Sequence, residues 1–176
     1  MIFQELSIPG AFLLTLEKHT DERGFFARTF CKKMFQEHGL CTDFVQDSMS
    51  YSKKRGTLRG LHYQDPYPEI KLIQCIQGEL FDVMVDLRKD SPSFGTWISV
   101  ILDAQNPQAL YIPTGIAHGF QSLKDDTILL YKISEYYHPE TARTLHWNDP
   151  TLAITWPLKE NLIISQKDQS APFFSM

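Results

Sequence analysis

Apolar residues in this chain recur mainly with a period of two, the spacing of strands with one buried face. The clearest case is Lys71 to Arg88, KLIQCIQGELFDVMVDLR, where Phe81, Val83, Val85 and Leu87 alternate with Asp82, Met84 and Asp86. Gln77-Gly78-Glu79 supplies a turn in its middle. The segment therefore reads as a hairpin, with Asp82 and Asp86 facing solvent or a partner. Further strands are expected over Thr96 to Leu102, Ala109 to Ile112 and Thr127 to Tyr137. Turn signals separate them at Asp90-Ser91-Pro92, Gln105-Asn106-Pro107, Pro113-Thr114-Gly115 and Asp125-Asp126. Helical signal is thin: Lys32 to His38, just before Gly39, reads as one short helix with a glycine stop. Many short strands with regular turns predict an all-β sandwich or barrel, closed like a jelly roll, with a few short helices. No linker, low-complexity tract or repeat divides residues 1–176, so a single domain is expected.

Composition narrows the function classes. With 43% hydrophobic and 22% charged residues in 176, the chain can bury a core without disulfides or metals. Its formal charge of −4 argues against a nucleic-acid surface, so an anionic ligand must be held by a local cluster of cations. Cys31, Cys41 and Cys75 are odd in number and form no CxxC pair, which suits reduced thiols in a cytosol. The start, MIFQELSIPGAFLL, carries neither a basic n-region nor a long apolar run. No apolar stretch approaches the roughly 20 residues of a membrane helix. A soluble cytoplasmic protein is expected, without nucleic-acid or membrane partners.

The segment Lys54 to Gln64, KRGTLRGLHYQ, is unusual for a strand because Gly56 and Gly60 weaken it while permitting close approach of a ligand. Arg59 and His62 have opposite parity, so they can face one cavity only across a bulge or bend. A histidine there reads either as a satisfied structural residue or, given the flanking arginine, glycines and Gln64, as a functional one. No two of the six histidines, His19, His38, His62, His118, His138 and His146, are two or four apart, so a metal site with close ligand spacing is disfavoured. His118, in IPTGIAHGF after a Pro-Thr-Gly turn, is either a strand-start residue or a donor to a phosphate or sugar oxygen at a barrel mouth. Lys71 shares parity with Ile73 and Cys75; inside, its ammonium needs an anion, whereas at a strand end it reaches solvent. Tyr131 shares parity with Leu129, Ile133 and Tyr137 and reads first as core. Asp168, in SQKDQSAP, reads as a loop carboxylate.

Taken together, DERGFF (21–26), FVQDSMS (44–50), RGTLRGLHYQ (55–64), KLIQCIQGELFDVMVDLRKDSPSFG (71–95), YIPTGIAHGF (111–120), YK (131–132) with EYYHP (135–139), WNDPTLAITWP (147–157) and SQKD (165–168) resemble the dTDP-4-dehydrorhamnose 3,5-epimerase family. The resemblance spans nearly the whole chain. It implies a cupin fold, a double-stranded β-helix, and an isomerase acting on nucleotide-linked 4-keto-6-deoxy sugars. The C4 ketone of such a sugar acidifies the hydrogens at C3 and C5, and removing either leaves an enolate. In the family the histidine matched by His62 is the base, oriented by the aspartate matched by Asp168. The lysine matched by Lys71 faces the C4 oxyanion, and the tyrosine matched by Tyr131 is the acid on the opposite face. Arg23, Gln46, Arg59, His118 and Lys167 match positions that contact nucleotide, pyrophosphate or sugar. Ser48 and Tyr137 fall in the same binding stretches, and Phe26 with Phe25 offers a stacking surface. The resemblance also implies a homodimer exchanging N-terminal strands, with Arg23 serving the partner's site. It implies no metal and no organic cofactor.

Three positions depart from the family pattern: Arg28 where a glutamate is usual, Ser48 where asparagine is, and Ala142 near a usual glutamate. All three suggest a changed base or sugar, or drift. Competing readings are a single-position epimerase of a sugar linked to CDP, GDP or UDP, and a non-catalytic cupin that binds a nucleotide sugar.

Overall fold

The computed structural model describes residues 1–175. In chain order the elements are β1 (Ile2–Glu5), β2 (Phe12–Thr15), β3 (Lys18–Asp21), β4 (Gly24–Ala27), α1 (Lys32–Glu37), β5 (Gln46–Ser52), β6 (Thr57–Gln64), β7 (Lys71–Gln77) and β8 (Glu79–Asp86). They continue with β9 (Trp97–Asp103), β10 (Gln108–Ile112), β11 (Ile116–Ser122), β12 (Thr127–Ile133), β13 (Ala142–Thr144), β14 (Ile163–Ile164) and α2 (Gln166–Gln169). One sheet has the order β1-β2-β10-β7-β12-β5; the other has the order β13-β6-β11-β8-β9, with β14 parallel to β6. β3 and β4 pair only with each other. Ile73, Cys75, Leu110, Ile112 and Leu129 of the first sheet meet Leu80, Met84, Leu102, Ile116 and Phe120 of the second in one buried cluster. This closed sandwich is the cupin double-stranded β-helix.

The expected hairpin at Lys71 to Arg88 is two strands that do not pair. β7 joins β10 and β12 in one sheet, while β8 joins β9 and β11 in the other. Gly78, at φ 79°, turns the chain across the sandwich, and a Cβ there would run into the Thr127 side chain. The faces of β8 also differ from the expectation. Val83 and Val85 point outward, under Leu145, Leu152, Ile154 and Trp156 of the C-terminal segment. Leu80 and Met84 point inward, so the face carrying Asp82 is the interior one. Asp82 and Asp86 are both fully buried, not solvent-facing. Asp86 is held by Arg88, Ser91 and Ser93. Asp149 of WNDP is likewise buried, accepting from the backbone N–H groups of Thr151, Leu152 and Phe174. It pins the segment that covers the outer face.

Two other expectations need adjusting. α1 forms as expected and seals the outside of the first sheet by packing Phe35 on Leu14, Leu72 and Tyr111. The strand expected to reach Tyr137 stops at Ile133; at its end Val45 N–H donates to Ile133 O and Ser134 N–H to Ile70 O. Tyr137 therefore lies beyond the strand, and parity does not govern its direction. Among the described residues no helix is long and apolar enough to cross a membrane.

Candidate active site

At one end of the sandwich the two sheets part around a cavity of about 710 Å³. β6 supplies Arg59 and His62 to its wall, and the anomaly visible in the sequence makes this possible. Pairing of β6 with β11 matches His62 to His118 and Arg59 to Phe120, so β6 carries two residues opposite Gly119 alone. That bulge brings two side chains of opposite parity to one face. Gly60 occupies it at φ 113°, and its ideal Cβ would stand 2.6 Å from Gly119 Cα. Only glycine fits there.

His62 Nε2 lies 2.8 Å from Asp168 Oδ1. The Asp168 carboxylate is placed from three directions. Gly60 N–H donates to its Oδ2, Ser165 Oγ caps α2 by accepting from the Asp168 backbone N–H, and β14 anchors the approach beside β6. Burial alone would raise this carboxyl, but His62, Gly60 and Ser165 together hold it below the usual carboxylate range. An imidazole braced in this way has a fixed orientation. Asp168 is thus a buried, paired carboxylate rather than a loop one.

A second pair lies beside the first. His118 Nε2 is 2.8 Å from Asp82 Oδ2, and both side chains are buried. Burial pushes the Asp82 carboxyl up, an effect that His118 and Lys71 oppose without cancelling. His118 sits inside β11, not at its start. Lys71 is 7% exposed; its ammonium lies 2.8 Å from Glu69 and donates to His62 O at 3.4 Å. It is therefore an interior lysine with an anion. Tyr131, on β12 of the opposite sheet, has its phenol pushed up chiefly by burial. Its ring lies 6.3 Å from that of His118.

His62, Tyr131, Asp168, Lys71, Gln46, Ser48, Arg59, His118, Tyr137 and Lys167 all line the one cavity. Gln46 accepts from the Tyr137 backbone N–H at 2.7 Å, tying that segment to the rim. Arg23 and Phe26 are elsewhere: both are exposed on the β3–β4 hairpin, where Arg23 pairs with Asp21. Of the three departing positions only Ser48 lines the cavity; Arg28 is exposed outside it and Ala142 sits on β13. Glu69 and Ser50 also line the cavity, and neither carried a signal of its own that singled it out; Asp82 stands behind the lining, against His118. Among the described residues no three His, Cys, Asp or Glu side chains converge as a metal site requires.

The fold and its interior cavity are those of a cupin-type carbohydrate isomerase. Residues 5–176 match the dTDP-4-dehydrorhamnose 3,5-epimerase family, and the chain belongs to that family. The dTDP-4-dehydrorhamnose 3,5-epimerase of Methanothermobacter thermautotrophicus is 48% identical over 170 residues, 96% of this chain and 91% of that one. The crystal structure of the Bacillus anthracis dTDP-4-dehydrorhamnose 3,5-epimerase, with TDP and PPi bound, aligns with a TM-score of 0.95 at 44% identity, covering 98% of this chain and 99% of that one. A Legionella pneumophila dTDP-6-deoxy-D-glucose-3,5-epimerase, in complex with dTDP-4-keto-L-rhamnose, aligns with a TM-score of 0.93 at 42% identity, covering 98% of this chain and 92% of that one.

Proposed function

We propose that the chain epimerises C3 and C5 of a dTDP-linked 4-keto-6-deoxyhexose. The observation that carries this is the placement of the His62–Asp168 pair and Tyr131 on opposite sheets across a single cavity. Inversion at carbon needs a base on one face and an acid on the other; a single group would restore the starting configuration. His62 takes the proton from C3 or C5, and the bond's electron pair moves to make the C4 oxygen an enolate. Lys71 faces that oxygen, where a preorganised cation counts most. Tyr131 then gives its proton to the opposite face of the carbon, and the C4 ketone re-forms. Solvent restores both side chains to their starting protonation.

The pyrophosphate falls to Arg59 and Lys167, the local cations that a chain of charge −4 needs. Gln46, Ser48, His118 and Tyr137 complete the sugar and nucleotide contacts. Arg23 and Phe26, remote from their own cavity, serve the cavity of a second copy in a homodimer that exchanges its N-terminal strands. The chain works as one domain and in the cytoplasm. TDP, PPi and dTDP-4-keto-L-rhamnose, held by the Bacillus and Legionella relatives, support this substrate class.

Incubation with dTDP-4-keto-6-deoxyglucose in deuterated water, followed by NMR, tests the proposal. Deuterium is expected at both C3 and C5 of an inverted product. Incorporation at one carbon alone would make this a single-position epimerase, for which Ser48 in the cavity is the first specificity residue to examine. No incorporation with dTDP-, CDP-, GDP- or UDP-linked substrate would sink the catalytic reading.

A further inference from the structure

Three buried side-chain atoms have no hydrogen-bond partner among the described residues: Ser50 Oγ, Asp82 Oδ1 and Thr144 Oγ1. A folded protein rarely leaves such atoms unsatisfied without a reason. Asp82 holds His118, and Thr144 lies directly across from His62 in the β13–β6 pairing. Ser50 stands beside the third reactive side chain. Across β5 and β12, Ser48 pairs with Tyr131 and Ser50 with Leu129, so Ser50 is a diagonal neighbour of Tyr131 on the cavity face. That spacing is within reach of an aromatic side chain.

The other donors around the phenol are already engaged. Arg59 directs Nε to Ser52 Oγ and Nη2 to the Tyr51 carbonyl. His118 is held by Asp82, and Lys71 by Glu69. The Ser50 hydroxyl is buried and makes no other hydrogen bond among the described residues. Burial pushes the phenol up; the Ser50 hydroxyl does most to oppose this, while Asp82 reinforces it and Arg59 weakly opposes it.

We propose that Ser50 is a positioning residue for Tyr131, donating a hydrogen bond to the phenolate oxygen that forms when Tyr131 delivers its proton to carbon. The inference rests on Tyr131 being the acid. In that step the phenol O–H bond breaks and a C–H bond forms. The enolate's electron pair supplies the new bond, the C4–O⁻ returns to a ketone, and the negative charge moves to the phenol oxygen. With its hydroxyl rotated toward that oxygen, Ser50 stabilises the charge without giving up its own proton. In the resting enzyme the phenol oxygen is uncharged and a weaker acceptor, and the Ser50 hydroxyl is left without a close partner.

The test compares the wild type with Ser50→Ala, Ser50→Thr and Tyr131→Phe on dTDP-4-keto-6-deoxyglucose in deuterated water. Exchange into the starting isomer and formation of inverted product are scored separately, and Tm is measured. In Ser50→Ala, inversion is expected to fall roughly 10- to 100-fold, the range of one hydrogen bond to a charged group. Exchange by His62 should persist, Ser50→Thr should recover most of the inversion, and Tm should stay level or rise, because an unsatisfied hydroxyl has been removed. Ser50→Ala with the wild-type ratio of inversion to exchange overturns the proposal. So does equal loss of both, which marks a merely structural role. If Tyr131→Phe itself keeps the wild-type ratio, the acid is misassigned, and this inference falls with it.

Discussion

His62 and His118 stand directly opposite each other on β6 and β11, and each is braced by its own buried carboxylate at 2.8 Å. The two carboxylates are nevertheless tuned in opposite directions. Asp168 has three hydrogen-bonding groups to offset its burial and sits below its ordinary value; Asp82 has too few and sits above. The same residue pair, repeated on adjacent strands, thus gives one imidazole an ionised brace and the other a partner closer to neutrality.

Replacing Asp168 with Asn removes the charge beside His62 while keeping the shape. Exchange at C3 and C5 is expected to fall by roughly 10²- to 10⁴-fold, the range of such orienting carboxylates. Stability should respond as well. A carboxyl with a depressed folded pKa contributes stability above its ordinary value of 3.8, and that contribution is lost as pH falls through the folded value. Urea unfolding should therefore show a smaller loss between pH 5 and 2 in Asp168→Asn than in the wild type, with the two-pH span chosen around the ordinary carboxylate range of about 4. Parallel curves would count against the pair as an ionic one.

Asp82 has the opposite sign. A raised folded pKa gives a contribution fully present below 3.8 and lost as pH climbs through the folded value. Relative to Asp82→Asn, the wild type should lose stability as pH rises from that point. A difference curve that falls with acid instead would show that Asp82 is charged and well satisfied.

Lys71 and Glu69 form a nearly buried pair, and removing one partner strands the other. Lys71→Ala is expected to destabilise the fold by about 3 kcal/mol and to lower turnover roughly 10²- to 10³-fold by leaving the C4 oxyanion without a cation. The double variant Lys71→Ala with Glu69→Ala should regain much of the stability and none of the rate. Recovery of both together would reduce Lys71 to a structural residue.

How much of this was legible varied with the range of the interactions involved. The β6 anomaly could be read locally: Arg59 and His62 with opposite parity, set among glycines, demanded a bulge, and β6 carries one. The fate of Gly78 could not. A strand, a glycine turn and a strand look alike whether the second strand folds back or crosses to another sheet, and what decides is the non-local pairing with β10, β12, β9 and β11. For the same reason the alternation in β8 pointed the wrong way. Both of its faces are covered, so the valines mark the face under residues 145–156, and Leu80, Asp82 and Met84 mark the face turned into the sandwich. Tyr137 followed parity only until the strand ended at Ile133. His62, Lys71 and Tyr131 lie on three strands with no local signal joining them, which is why only the family resemblance linked them before the fold did.

The close approach of β6 to β11 gives the most direct structural prediction. A Cβ on Gly60 would meet Gly119 Cα at 2.6 Å and His118 O at 2.7 Å, both backbone atoms that cannot swing aside. Gly39 is a control: its φ of 68° is also left-handed, but nothing lies within 4 Å of its Cβ position. Gly39→Ala should therefore cost only the backbone strain, about 1 kcal/mol. Gly60→Ala adds overpacking of about 1–3 kcal/mol to strain of similar size, roughly 2–6 kcal/mol in all. Because Gly60 N–H donates to Asp168 and His62 follows two residues later, the folded fraction should also lose exchange at C3 and C5. Urea unfolding of the two variants, with exchange measured below each transition, separates the effects. If Gly60→Ala is no less stable than Gly39→Ala and retains exchange, the β6–β11 contact is not what fixes the His62–Asp168 geometry.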